Sequence, residues 1–161
     1  MIINFILNGE DVTIDCDDNI RLIDIIRQQF NLMGAKAGCC SGKCGFCSVL
    51  FNGSVCNACL IPAFRLPSSE VITIEGFSQT AEYQDVVNGF SKANLENCGF
   101  CSSSKILCAA ALLDRVKKPE RQQIFHAFNV VKCRCTDPEA LVRGVMAITA
   151  HRKRRHFARS S

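Results

Sequence analysis

The chain has no apolar run near the roughly 20 residues that would cross a bilayer, so no membrane span is expected among its 161 residues. Met1 to Leu7 is apolar, but it lacks a basic flank and runs at once into Asn8-Gly9-Glu10-Asp11, which does not read as a secretory signal. Histidine is scarce: His151 and His156 stand in the last eleven residues, and His126 sits in an apolar segment where packing in a core is expected. No Cys-His pair for nucleophilic chemistry is suggested. The body also lacks net charge. The formal +4 depends on Arg152, Lys153, Arg154, Arg155 and Arg159, without which 14 basic residues face 15 acidic ones. A nearly neutral body argues against a free carrier steered to its partners by a charged face. The basic end reads as a solvated, disordered tail over 151–161.

What the chain has in excess is sulfur. Its twelve cysteines are too many to be incidental. Without a secretory signal they are expected in a reducing cytoplasmic setting, where clustered thiols more often hold metal than form disulfides.

Cys39, Cys44, Cys47 and Cys59 make C-x4-C-x2-C followed by a fourth cysteine after eleven residues. That is the ligand order of a plant-type [2Fe-2S] centre. Such a cluster carries a formal charge of about −2 when oxidised and about −3 when reduced, so the surrounding chain must offset a dense anion. Gly38, Gly42 and Gly45 in the same loop allow positive φ and let backbone N–H groups face the sulfurs. Lys36 and Lys43 add charge nearby.

Around this loop the pattern is that of a small sheet. Ile2 to Leu7, the Asn8-Gly9 turn and Val12 to Asp15 read as a hairpin. Asp17, Asp18 and Asn19 are N-cap candidates for a helix over Ile20 to Phe30. Ser48 to Phe51, Asn52-Gly53 and Ser54 to Cys56 read as a second hairpin, and Val71 to Ile74 as a closing strand.

From Ala81 onward hairpin signals stop and helical periodicity takes over. Helices are expected around Tyr83 to Phe90, Ile106 to Val116, Ile124 to Phe128 and Leu141 to Thr149. Thr136 or Asp137 is expected to cap the last of them, with Pro138 in its first turn. These segments predict an α+β chain of two units, a sheet domain over 1–77 and a four-helix domain over 78–150.

The helical part carries a second set of thiols, Cys98 and Cys101 and, after 31 intervening residues, Cys133 and Cys135. Both pairs stand just before predicted helices, which aims two positive helix termini at whatever they hold. Lys105, Lys132 and Arg134 add to that charge. From spacing alone, zinc and an iron-sulfur cluster both remain open here.

The cysteine loop, Asn57-Ala58-Cys59-Leu60, Thr73-Ile74-Glu75-Gly76, Cys98-Gly99-Phe100-Cys101 and Cys133-Arg134-Cys135-Thr136 together resemble the iron-sulfur subunit of the molybdenum hydroxylases, the xanthine dehydrogenase and aldehyde oxidoreductase family, up to about Met146. The resemblance implies a plant-ferredoxin-like β-grasp domain followed by an all-α four-helix domain, each holding one [2Fe-2S] cluster. It implies that Cys98, Cys101, Cys133 and Cys135 hold the cluster nearer a molybdenum-pterin on a large partner subunit, and Cys39, Cys44, Cys47 and Cys59 the one nearer FAD on a partner subunit or domain. Electrons would then pass singly from molybdenum toward FAD, with no catalytic residue in this chain. A free two-cluster ferredoxin and a zinc-stabilised interaction module are the alternatives.

Departures from the family pattern cluster on the pterin side. Asn97 stands where the family usually has the Gln that contacts the pterin. Ser102-Ser103-Ser104 replaces Thr-Pro-Gly, Val131-Lys132 replaces Asn-Leu, and Asp137-Pro138 replaces Gly-Tyr. Cys16, Cys40, Cys56 and Cys108 fall off the ligand positions and read as small packed hydrophobes.

Overall fold

The structure, a computed structural model, describes residues 1–95 and 98–159, with side chains described as far as Arg152. Among the described residues five strands form one sheet: β1 (Ile2–Leu7), β2 (Glu10–Asp15), β3 (Ser48–Phe51), β4 (Ser54–Asn57) and β5 (Glu70–Ile72). Their order is β2-β1-β5-β3-β4, with β1 parallel to β5 and the other neighbours antiparallel. This is the expected β-grasp arrangement.

The Asn8-Gly9 and Asn52-Gly53 turns fall where the sequence puts them. Asn8 (φ 53°), Gly9 (86°), Asn52 (48°) and Gly53 (75°) are left-handed, as two-residue hairpin turns demand.

Among the described residues six α-helices complete the fold: α1 (Leu22–Gln28), α2 (Ile74–Phe77), α3 (Ala81–Lys92), α4 (Ser102–Arg115), α5 (Arg121–Phe128) and α6 (Pro138–Arg159). None of the described helices is long and apolar enough to cross a membrane.

The sheet has two working faces because strand side chains alternate. Val49 and Val71 point to the α1 side, where Ile3, Phe5, Leu7, Leu22, Ile23, Ile25 and Ile26 are buried. Their neighbours Leu50 and Ile72 point the other way, into the core of Val86, Phe90, Leu107, Leu113, Ile124, Val145 and Ile148. The helix α4 lies against β3 and β4 on that side. Its end is tied down by Arg115, whose guanidinium donates to Ser54 Oγ at 2.6 Å. A helix as short as α1 is not stable alone. Four of its residues are wholly buried, at about 1.5–3 kcal/mol for each large aliphatic side chain, so packing sustains it.

Several local expectations are corrected. The first helix starts later than its cap candidates Asp17, Asp18 and Asn19, with Arg21 in the N-cap position. Asp17 to Ile20 close a turn instead, and Ile20 to Leu22 pair with Ile61 to Ala63 through Ala63 N–H to Ile20 O (2.8 Å) and Leu22 N–H to Ile61 O (2.8 Å). That pairing holds the backbone extended past the residues expected to be helical. The closing strand ends at Ile72, and Ile74 opens α2. Asn8 fixes this switch by accepting the Thr73 N–H at 2.8 Å, and Glu75 by accepting the Gly34 N–H at 2.7 Å.

His126 is exposed, because α5 turns Ile124 and Phe128, four residues apart, toward the core. The stretch expected to be disordered from residue 151 continues as helix to Arg159. His151 and Arg152 reach the buried Asp85 of α3 at 3.5 and 3.4 Å. The α5–α6 side is closed by an Arg121–Glu139 ion pair, with the guanidinium 5.0 Å from the Phe125 ring centroid.

The helices α3 and α6 cross closely at glycines. A Cβ on Gly89 would overlap Ile148 and come within 3.0 Å of the Gly144 carbonyl oxygen. Gly89→Val should therefore lower the unfolding free energy by about 1–3 kcal/mol through overpacking. Asn88→Val, on the exposed side of the same turn, should stay within about 0.5 kcal/mol of the parent. Chemical denaturation of the two variants checks this.

Candidate metal centres

The loop from Gly38 to Cys47 is bent at three left-handed residues, Cys40 at φ 51°, Gly42 at 74° and Gly45 at 76°. These bends turn amides inward. Cys39 Sγ accepts N–H groups from Ser41 (3.4 Å), Lys43 (3.2 Å) and Cys44 (3.3 Å), and Cys44 Sγ accepts the Cys39 N–H at 3.4 Å. Lys43 thus contributes its backbone N–H to the sulfur. Lys36 sends its ammonium to the Met33 carbonyl at 2.7 Å.

Beneath the loop, Cys47 leads into β3, and the Ala58 N–H on Cys47 O (3.1 Å) brings the short 3-10 turn carrying Cys59 beside it. Asn57 holds the loop from the other side, its Nδ2 donating to Gly42 O at 3.1 Å. Cys47 and Cys59 are buried while Cys39 is exposed.

This environment splits the thiols. Hydrogen bonds from Ser41 and then Cys44 bring Cys39 down to about 6. Burial pushes Cys47 up to about 12, with the neighbouring Cys59 and Cys44 sulfurs adding to the rise.

In the second set, Cys98 Sγ and Cys101 Sγ are 3.0 Å apart, and Cys101 Sγ and Cys133 Sγ 3.2 Å. The Cys101 N–H faces Cys98 Sγ and the Cys135 N–H faces Cys133 Sγ, each at 3.4 Å. Cys101 is itself the N-cap of α4, and Asp137 rather than Thr136 serves the start of α6, accepting the Glu139 N–H at 3.3 Å.

Hydrogen bonding from Cys101 lowers Cys98 to about 7, and burial pushes Cys101 up to about 12. At Cys133 burial opposes ionisation, but hydrogen bonds from Cys101, Cys135 and Thr136 outweigh it and the thiol is lowered. Cys135 is raised by its contact with Cys98. Each set therefore mixes ready thiolates with thiols that metal must deprotonate on binding.

The structure brings all eight sequence-predicted cysteines into these two neighbourhoods. Four soft donors at each place, with amides aimed at sulfur, fit a thiolate-bound iron-sulfur cluster. The cradle of the first is tight: a Cβ on Gly38 would lie 2.9 Å from Cys44 Sγ. Asn97, expected at the pterin, lies outside the described residues.

Cys108 is sealed inside α4, where burial pushes its thiol up to about 12. Cys16 and Cys56 are also raised, first by burial. The Cys40 carbonyl accepts from Arg21 at 3.3 Å, which fixes the loop.

Sequence spacing does not reveal where the two neighbourhoods meet. The Lys132 N–H donates to the Cys44 carbonyl at 2.9 Å, so the residue before Cys133 is bonded to a cysteine of the other set. Gly45 makes the approach possible, since a Cβ there would fall on the Val130 carbonyl. Phe46, next to Gly45 in the chain, meets Phe100 of the second neighbourhood, their ring centroids 6.4 Å apart.

Comparison with known proteins agrees with this architecture. Residues 5–66 match the family described as 2Fe-2S iron-sulfur cluster binding domain, and residues 73–146 the family described as [2Fe-2S] binding domain. The small FeS subunit of nicotinate dehydrogenase from Eubacterium barkeri is 38% identical over 134 residues, covering 83% of this chain and 85% of that protein. The structure of quinoline 2-oxidoreductase from Pseudomonas putida superposes with a TM-score of 0.85 at 27% identity, covering 96% of both chains. That of the aldehyde oxidoreductase from Desulfovibrio desulfuricans gives 0.83 at 32% identity, covering 94% of this chain but 17% of the longer one.

Gly45→Ala should cost about 1–3 kcal/mol for the overlap with Val130, with about 1–2 kcal/mol more for the left-handed backbone. Hydrogen exchange at the Lys132 amide reads the loss directly: faster exchange in the variant is expected, and unchanged protection would mean the contact does not depend on this glycine.

Proposed function

The chain belongs to the family of iron-sulfur subunits of the molybdenum hydroxylases, and from that premise we propose that it is the electron-transfer subunit of a molybdenum-pterin hydroxylase or dehydrogenase complex. Cys39, Cys44, Cys47 and Cys59 hold one [2Fe-2S] cluster, and Cys98, Cys101, Cys133 and Cys135 the other. When bound, each cluster takes up and gives up one electron at a time.

The remaining work is done by the chain itself. Amides of Ser41, Lys43 and Cys44 face Cys39 sulfur and favour its thiolate. The left-handed loop fixes them in place, so little reorganisation accompanies a change of charge.

The observation that carries this reading is the Lys132 N–H to Cys44 O bond. From Cys133 one peptide unit leads to that N–H, and from the Cys44 carbonyl two covalent bonds lead back to its own Cβ. A short bonded path therefore joins the two thiol sets. Cys135 and Cys39 are exposed and mark the two ends of the relay, the first toward a large molybdenum-pterin subunit. In our reading the Cys39 end faces FAD on a partner subunit or domain. Substrate is oxidised on the partner, and the chain alone turns nothing over.

We divide the chain into a ferredoxin-like unit over 1–77, a helical unit over 78–150 and a basic end over 151–161. We place it in the cytoplasm, where free thiols such as Cys108 persist.

Three substitutions test the assignment, the first in the reduced protein and the other two by iron content. Cys44→Ser should remove one EPR signal and leave the other; loss of both would contradict two separate centres. Cys56→Ser should keep the parent's iron content, whereas Cys59→Ser should fall toward half. The reverse outcome would make Cys56 the fourth ligand.

A further inference from the structure

Lys105 is the only buried cation among the described residues, 1% exposed. It lies one turn into α4, its backbone N–H on the Cys101 carbonyl at 3.0 Å. Its Nζ donates to Thr136 Oγ1 at 2.6 Å, and the same hydroxyl is 3.7 Å from Cys133 Sγ. The ammonium is thus lodged between the two cysteine pairs, anchored at one end beside Cys101 and at the other beside Cys133 and Cys135. Its charge acts on both the Cys101 and the Cys133 sulfurs. Lysine is almost never fully buried unless its charge is compensated, because desolvation of an ammonium is costly.

The first thiol set, like the second, takes amides on its sulfurs, but no buried cation stands beside it among the described residues. Its sulfurs take backbone N–H groups, Lys36 is engaged with the Met33 carbonyl and Lys43 is exposed.

We propose that Lys105 is a tuning and positioning residue whose fixed ammonium raises the reduction potential of the centre held by Cys98, Cys101, Cys133 and Cys135. The inference rests on that ligand assignment. One electron arrives from the partner's reduced molybdenum centre, and the formal charge goes from about −2 to about −3. The same electron leaves for the first centre. Lys105 gains and loses no proton. Its positive charge interacts more strongly with the reduced form than with the oxidised one, and the low-dielectric setting enlarges that difference. The consequence is an entry site that draws electrons from the partner. Through the hydroxyl of Thr136 the same side chain sets the turn between Cys135 and α6.

The test is an EPR-monitored redox titration of the iron-loaded protein, reading the signal that survives in Cys44→Ser as the second centre. Lys105→Met should weaken reduction of that centre at least tenfold, about 59 mV for a one-electron couple, and leave the first centre where it was. Lys105→Arg keeps the charge and should stay close to the parent. An unmoved potential in Lys105→Met, an equal fall in Lys105→Arg, or a joint shift of both centres would overturn the proposal. Should Lys105→Met fail to load its second centre, Lys105→Gln, which keeps a donor for Thr136, is read by the same criteria. A parent protein with a single signal would defeat the ligand assignment itself. Two signals with an unmoved potential would defeat only the role of Lys105.

Discussion

The contact of residues 44–45 with 130–132 is what makes this chain one device rather than two metal-binding units. A carbonyl from the cysteine loop meets an amide from the turn between α5 and α6, 2.9 Å apart, and a glycine removes the side chain that would keep them apart. Both segments are held from behind. The loop is fixed by Asn57 on Gly42 O and by Ser48 Oγ on Gly45 O, and the turn by the Val131 N–H on Phe128 O. Because each partner is rigid, the distance between the thiol sets is a property of the fold and not of a tether.

The sheet makes that rigidity possible. Adjacent residues of β3, Val49 and Leu50, feed the two cores on opposite faces, and α4 packs directly on β3 and β4. The helical half is therefore laid across the strands that emerge from the cysteine loop. Oblique sliding of one half over the other would break apolar packing and the hydrogen bond together.

The two thiol sets meet the same electrostatic demand by different means. The first wraps Cys39 in three amides from a loop bent at the left-handed Cys40, Gly42 and Gly45. The second places Cys101 at the head of α4 and Cys135 shortly before α6, and adds a buried ammonium. Hydrogen bonds to sulfur and a nearby cation both favour the more negative form of a thiolate-bound cluster.

Much of this was legible in the residues. Cysteine spacing identified both thiol sets, the Asn-Gly pairs fixed two hairpins, and the apolar periodicities of Tyr83 to Phe90 and Ile106 to Val116 gave helices. What was not legible depends on long-range contact. Arg21 opens α1 because residues 20–22 pair with residues 61–63, which no local cap signal reports. Lys105 read as one more cation near the thiols; its burial follows from the packing of α4 beneath the turn at Thr136. His151 and Arg152 of the last helix pair with Asp85, buried some 66 residues earlier in the chain. Metal and acid-labile sulfide analysis of the anaerobically purified protein addresses the central claim most directly. About four iron and four sulfide per chain are predicted for two such clusters, and zinc without sulfide would contradict the account.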